Sequence, residues 1–175
     1  MERSTGKVWY AIRVTYNREM KVKADLDARG MENFVPMQYK YYELNGRLAK
    51  RLVPSIHNLI FIHCEAQEMK EFKQTTSLPI RYIMNREKRI PLVVPDRQME
   101  SFIAVAGHHE EEIVYLDPAE LNLTKGDRVR VLAGPFAGAE GVFVRVKGDR
   151  RVVVTIEGVV AVATTFVHPS LIEKI

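Results

Sequence analysis

A single cysteine, Cys64, stands among the 175 residues, so no internal disulfide can brace the chain, and lone-thiol usage fits a reducing compartment. No apolar run reaches the roughly 18 residues that a membrane span needs. The opening MERSTGKVWY carries no apolar signal-peptide core before polar residues resume. Together these absences lead us to expect a cytoplasmic protein. Glycine-rich phosphate loops and nucleophile elbows are missing too. The histidines do not make up the deficit. His57 and His63, six apart on one expected strand, would stand roughly 20 Å from each other. His108 and His109 beside Glu110, Glu111 and Glu112 have no recognised ligand spacing and read as a solvated linker. Cys64, next to His63, lacks an orienting third group. No catalytic residue, cofactor or metal site is therefore expected.

What is present is ordinary globular chemistry, 46% hydrophobic and 27% charged, enough for one or two compact domains. The net charge of +4 is unevenly spread. Residues 1–106 hold 18 Lys and Arg against 12 Asp and Glu, and residues 107–175 hold 8 against 10, so a +6 half precedes a −2 half. A basic first half suits a phosphate backbone, although a solvated mixed surface gives the same count.

Taken in order, Lys7 to Thr15 reads as a strand with Val8, Tyr10, Ile12 and Val14 on one face. Asn17 offers a helix cap and Gly30 a helix stop, with Val22 and Leu26 as an i,i+4 pair between them. Arg18 and Lys21 sit at the start of that helix, unfavourable for its dipole, which gives weak grounds for an anionic partner. Asn33 to Glu43 is a strand broken by Pro36, and Asn45-Gly46 turns it into a basic hairpin carrying Arg47, Lys50 and Arg51. Its tyrosines Tyr39, Tyr41 and Tyr42 suit either nucleic acid or packing across the pair. Ile56 to His63 is the most apolar strand, Ala66 to Lys73 a short helix, Ile80 to Met84 a strand, Arg86 to Arg89 a basic turn and Pro91 to Val94 extended. Pro95-Asp96 opens a last helix with Met99, Phe102 and Ile103 at helical spacing. These signals predict a first domain over 1–106, a linker over 107–122 and a second domain over 123–175.

The second domain holds the most specific wording. Asp127 to Val131 alternates with a period of two, stops at Gly134-Pro135-Phe136-Ala137-Gly138, and resumes in Val142 to Val146. Spacing alone describes any hairpin of a small β-barrel. Gly126, Asp127, Val129, Val131, Gly134, Pro135, Phe136, Gly138, Gly141 and Val142 together resemble the KOW motif of elongation factors and some ribosomal proteins. Farther on, Val159 to Val167 carries no charge; either both its faces are covered or it offers an apolar surface to a partner.

The whole chain, from about Lys7 to Glu173, resembles the NusG family. Trp9-Tyr10, Phe34-Val35-Pro36, Asn58-Leu59-Ile60-Phe61 and the PLVVP of Pro91 to Pro95 fall where that family has similar motifs. The Ile-His-Asn-Leu-Ile-Phe strand and the compact first domain resemble the UpxY-type antiterminators of capsular polysaccharide operons. Leu59 replaces the family's usual aromatic, and His57 stands where proline is common. The resemblance implies an α+β chain: an N-terminal NGN domain of mostly antiparallel sheet flanked by helices, then an SH3-like KOW barrel. It implies a monomer that binds the clamp helices of RNA polymerase and suppresses pausing or termination. Arg13, Leu59, Phe61 and Tyr82 would form the polymerase contact, though Phe61 suits plain sheet core equally. Arg18, Lys21, Arg47, Lys50 and Arg51 would face nucleic acid, including the non-template DNA, or the polymerase lobe. Phe136, at a turn tip where exposure is usual, would meet a ribosomal protein or Rho. The alternative is a ribosome-associated or RNA-binding KOW protein of translation, though such proteins are usually far more basic than +4.

Overall fold

The computed structural model describes residues 6–109, 112–120 and 122–175; Glu110 and Glu111 of the predicted linker lie outside them. The alternating, β-branched opening forms strand β1 (Val8–Val14). Both of its faces are buried except at Arg13, so the expected single apolar face is an underestimate. Helix α1 (Glu19–Ala28) follows, with Val22 and Leu26 fully buried. Its start differs from expectation. Asn17 does not cap the helix: its backbone is left-handed (φ +51°) and its N–H donates to Asn58 Oδ1 at 3.0 Å. Buried Glu19 in the first turn accepts the Asn58 N–H, so the helix start is fastened to the entry of a later strand. Gly30, at φ +69°, ends the helix as predicted, with the Met31 N–H reaching back to the Leu26 carbonyl at 2.9 Å.

Strand β2 (Glu32–Phe34) stops before Pro36, and β3 (Met37–Leu44) and β4 (Arg47–Pro54) form a ribbon about Asn45 and Gly46, both at positive φ. Strand β5 (Leu59–Cys64) and helix α2 (Ala66–Thr75) come next. The expected strand from Ile80 to Met84 is split into β6 (Ile80–Tyr82) and β7 (Met84–Asn85), and the latter pairs with β8 (Ile90–Pro91). Strand β9 (Val93–Val94) precedes helix α3 (Asp96–Ala106). Then follow β10 (Val114–Leu116), β11 (Asp127–Val131), β12 (Glu140–Val146), β13 (Asp149–Ile156), β14 (Val160–Ala163) and β15 (Ile172–Lys174). No helix of the described residues is long and apolar enough to cross a membrane.

Two compact units result: Met1–Pro36 with Ile56–Asp96, and Met37–Ser55 with Arg97–Ile175. In the first, an antiparallel sheet runs β2-β5-β1-β6, with β9 also paired to β1. Its helices are tied by Thr76 donating to Asp25 and by the Arg29 guanidinium lying 4.8 Å from the Phe72 ring centre. The second unit contains the β3-β4 ribbon and a six-stranded antiparallel sheet ordered β10-β14-β13-β12-β11-β15.

That order explains the uncharged segment. Strand β14 lies between β13 and β10, and all four of its residues are buried. The strand covering it, β10, falls inside the stretch expected to be linker. Val114 and Leu116 pack on a cluster of Val146, Val153, Ala161 and Ala163. Arg151 fastens the chain before β10 by donating to the carbonyls of Glu112 (3.3 Å) and Thr164 (3.2 Å).

Gly141, in the centre of β12, permits the closest approach in this sheet: a Cβ there would lie 2.3 Å from the Val153 carbonyl oxygen. Backbone cannot yield as a side chain can. Gly141→Ala is expected to destabilise the fold by about 1–3 kcal/mol, read as a lowered thermal-unfolding midpoint, while Ala137→Gly on the exposed turn leaves it within about 1 kcal/mol.

Candidate functional site

The register of β1 decides which residues of the first unit can act together. Arg13 is directly opposite Leu59 and Ala11 is opposite Phe61, so Arg13, Leu59 and Phe61 share one face of the sheet. Tyr82 is opposite Ile12 and therefore belongs to the other face, where its ring meets Tyr10 edge-on at 5.7 Å. The Lys73 ammonium lies 4.8 Å above the Tyr82 ring. A single depression lined by Leu59, Phe61 and Tyr82 is thus not what the strands build. Phe61 is fully buried and Leu59 is 3% exposed: of the two readings open for Phe61, sheet core is the one observed. Burial, reinforced by the Tyr10 hydroxyl, pushes the Tyr82 phenol up from its ordinary range.

Arg13 is exposed and pairs on its other side with Arg81, so two guanidinium side chains start from directly opposed positions. Like charges so placed destabilise an antiparallel pair. Among the described residues neither has a carboxylate within ion-pair range. Sequence reading passed over Arg81 because its importance lies in the register, which no local pattern encodes. It also passed over Met84, Ile90 and Val93, apolar residues close to half exposed; their signal was apolar residues flanking the basic turn Arg86 to Arg89.

Arg18 and Lys21 lie exposed at the start of α1, as expected from their position, with the Arg18 guanidinium 5.7 Å from the Tyr16 ring centre. The ribbon separates its cations. Lys40, Tyr42, Leu44, Arg47 and Arg51 share one face, and Tyr39, Tyr41, Leu48, Lys50 and Leu52 the other. Lys50 stands 4.4 Å over the Tyr39 ring, whereas Lys40 is directly opposite Arg51, a second opposed pair of cations. Tyr41, Leu44 and Leu48 are more than half exposed, so the ribbon presents an apolar and cationic surface.

Phe136 departs from expectation. The turn folds it inward to 3% exposure, with the His108 ring edge-on at 5.2 Å. Gly134 and Gly138, both at positive φ, make the turn tight enough to do so. Beside it, Glu140 gathers Arg130 (2.8 Å) and Arg97 (3.2 Å), and its N–H donates to Ser101 Oγ at 3.0 Å.

The family model described as transcription termination factor nusG matches residues 7–103, more than half of the chain. The chain belongs to the NusG family. A KOW motif model matches residues 125–157, so this NusG-family chain carries an NGN domain and an SH3-like KOW barrel, the α+β fold expected for a transcription elongation or termination factor. A solved structure described as "Domain interaction in Thermotoga maritima NusG" is 21% identical, with 97% of each chain covered and a TM-score of 0.49. Among curated proteins no match is found.

Two measurements follow for this NusG-family chain. Cys64 is buried, and burial followed by the charge of Glu68 pushes its thiol up to about 12. Thiol-reactive disulfide reagent at mildly alkaline pH is expected to leave the folded chain unlabelled and to label it fully after denaturation. The Arg130 guanidinium holds the Glu140 carboxyl below its ordinary range. A depressed folded value adds stability above the unfolded value, about 4.3, and that stability disappears as pH falls through the folded value. Glu140→Gln is accordingly expected to destabilise at neutral pH and to converge on the parent chain in acid, checked by denaturant unfolding across pH.

Proposed function

We propose that the chain is a transcription elongation and antitermination factor that binds RNA polymerase through its first domain, over residues 1–106, and suppresses pausing or termination. Membership in a family described as transcription termination factor nusG gives the class. The observation that carries the contact is the Arg13–Arg81 pair at the edge strand β6. Two unsatisfied guanidinium groups are stabilised when an acidic surface supplies the carboxylates they lack. The clamp helices of the polymerase are the proposed donor of that surface. On the opposite face of the same edge, Tyr82 and half-exposed Val93 supply apolar contact. Leu59 and Phe61 support Arg13 from within the sheet instead of touching the partner.

Arg18, Lys21 and the ribbon residues Arg47, Lys50 and Arg51 are proposed to follow nucleic acid, with the non-template strand as the nearest candidate. A partner of the barrel, a ribosomal protein or Rho, is proposed to meet its turn at exposed Gly134, Pro135 and Ala137, since the Phe136 ring is turned inward. The Ile56 to Phe61 wording supports a UpxY-type role, with capsular polysaccharide operons as targets.

Retention on immobilised core polymerase, with ribosomal RNA as the competing bait, tests the contact. Arg13→Glu with Arg81→Glu is expected to weaken retention by roughly tenfold or more, and Tyr82→Asp to weaken it as well, with unchanged circular dichroism. Phe61→Ala is unsuited to this purpose, because deleting a fully buried Phe costs about 3–5 kcal/mol. On a terminator-bearing template taken from a capsular polysaccharide operon, the parent chain is expected to raise read-through and the double variant to lose that effect. Undiminished retention of the variants, or salt-sensitive ribosomal RNA binding without polymerase retention, would overturn the reading.

A further inference from the structure

The KOW barrel carries a third opposed pair of cations, and this one lines a groove. Arg145 on β12 is directly opposite Arg150 on β13. Both are exposed, and together with Lys125, Asn122, Asp127 and Phe143 they border a groove of about 450 Å³. Arg145 reaches only the Gly148 carbonyl, at 3.5 Å, and the Arg150 guanidinium lies 5.9 Å from the Phe143 ring centre. The groove's one acidic side chain, Asp127, is drawn to Lys174 at 3.2 Å. Among the described residues no carboxylate neutralises Arg145, Arg150 or Lys125. A barrel that is slightly acidic as a whole thus concentrates uncompensated positive charge at one place, at a cost to its own strand pairing.

We propose that this groove binds a single-stranded nucleic acid. Lys125 and Arg145 supply donors for successive phosphates, and the planar Arg150 guanidinium above Phe143 supplies a face on which a base stacks. An acidic peptide would use the three cations but would leave that stacked face idle, which is why a strand of bases is favoured. RNA and DNA share the phosphate and base chemistry, so the two are separate arms of one test.

Labelled oligo(U) and oligo(dT) are titrated against the full chain by fluorescence anisotropy at low and moderate salt. The parent for this test carries Arg47→Ser, Lys50→Ser and Arg51→Ser, so that the ribbon does not supply the signal. Binding is expected in at least one arm, weakening as salt rises. Arg150→Ser is expected to lower affinity about tenfold by removing the stacking face. Arg145→Ser should lower it too, reducing the slope of log affinity against log salt by about 0.7, since one phosphate fewer is neutralised. Arg145→Ser should at the same time raise the thermal-unfolding midpoint, because it relieves the repulsion with Arg150. Tighter binding of oligo(U) would identify a transcript, and tighter binding of oligo(dT) a displaced DNA strand. No binding by the parent, unchanged affinity in both variants, or equal displacement by poly-glutamate would overturn the proposal; the last result would make the groove a site for acidic protein segments.

Discussion

Antiparallel register is the constraint on which the rest of this molecule depends. Once β1 pairs with β5 on one side and with β6 on the other, every side chain along it is committed to one of two faces. Ala11, Leu59 and Phe61 become one layer of core, while Tyr10, Ile12 and Tyr82 become the other. The same rule places Arg13 opposite Arg81, Lys40 opposite Arg51 and Arg145 opposite Arg150. A sheet selected for stability alone would set a carboxylate or a neutral residue against each of these cations. In three separate ladders this chain does otherwise, and in each the cations point outward from a well-packed layer. Stability is supplied by the buried apolar faces, which leaves the surface free to carry repulsion that an anionic partner relieves.

The barrel shows how a wholly uncharged strand is managed. Exposed at an edge, β14 would offer a row of free backbone groups and an apolar surface to any passing chain. Here β10 occupies that edge and Arg151 pins the backbone leading into it. One short segment between a helix and a barrel therefore has two tasks, connecting elements and sealing an edge.

Much of the fold was legible in the sequence because its signals are local. The Asn45-Gly46 turn, the Gly30 stop, the alternation of β1 and the β11–β12 wording around Gly134 to Gly138 each state their structure within a few residues. What the sequence left unread depends on distant partners. Val114 to Leu116 is too short to declare itself a strand, and becomes one only because β14 needs a neighbour. Asn17 has the chemistry of a cap, but Asn58, far along the chain, claims its backbone N–H. The candidate site suffered most. Phe61 and Phe136 carry the residue types of a contact surface, yet packing turned both inward. Arg81 is unremarked until the register sets it against Arg13.

The buried, weakly acidic thiol of Cys64 has a practical consequence. Because it is the only native sulfhydryl and is shielded by the fold, a cysteine introduced at an exposed position would accept a fluorophore or spin label alone, with no need to engineer the native one away. Distances within each unit could then be followed in solution on an otherwise unaltered chain.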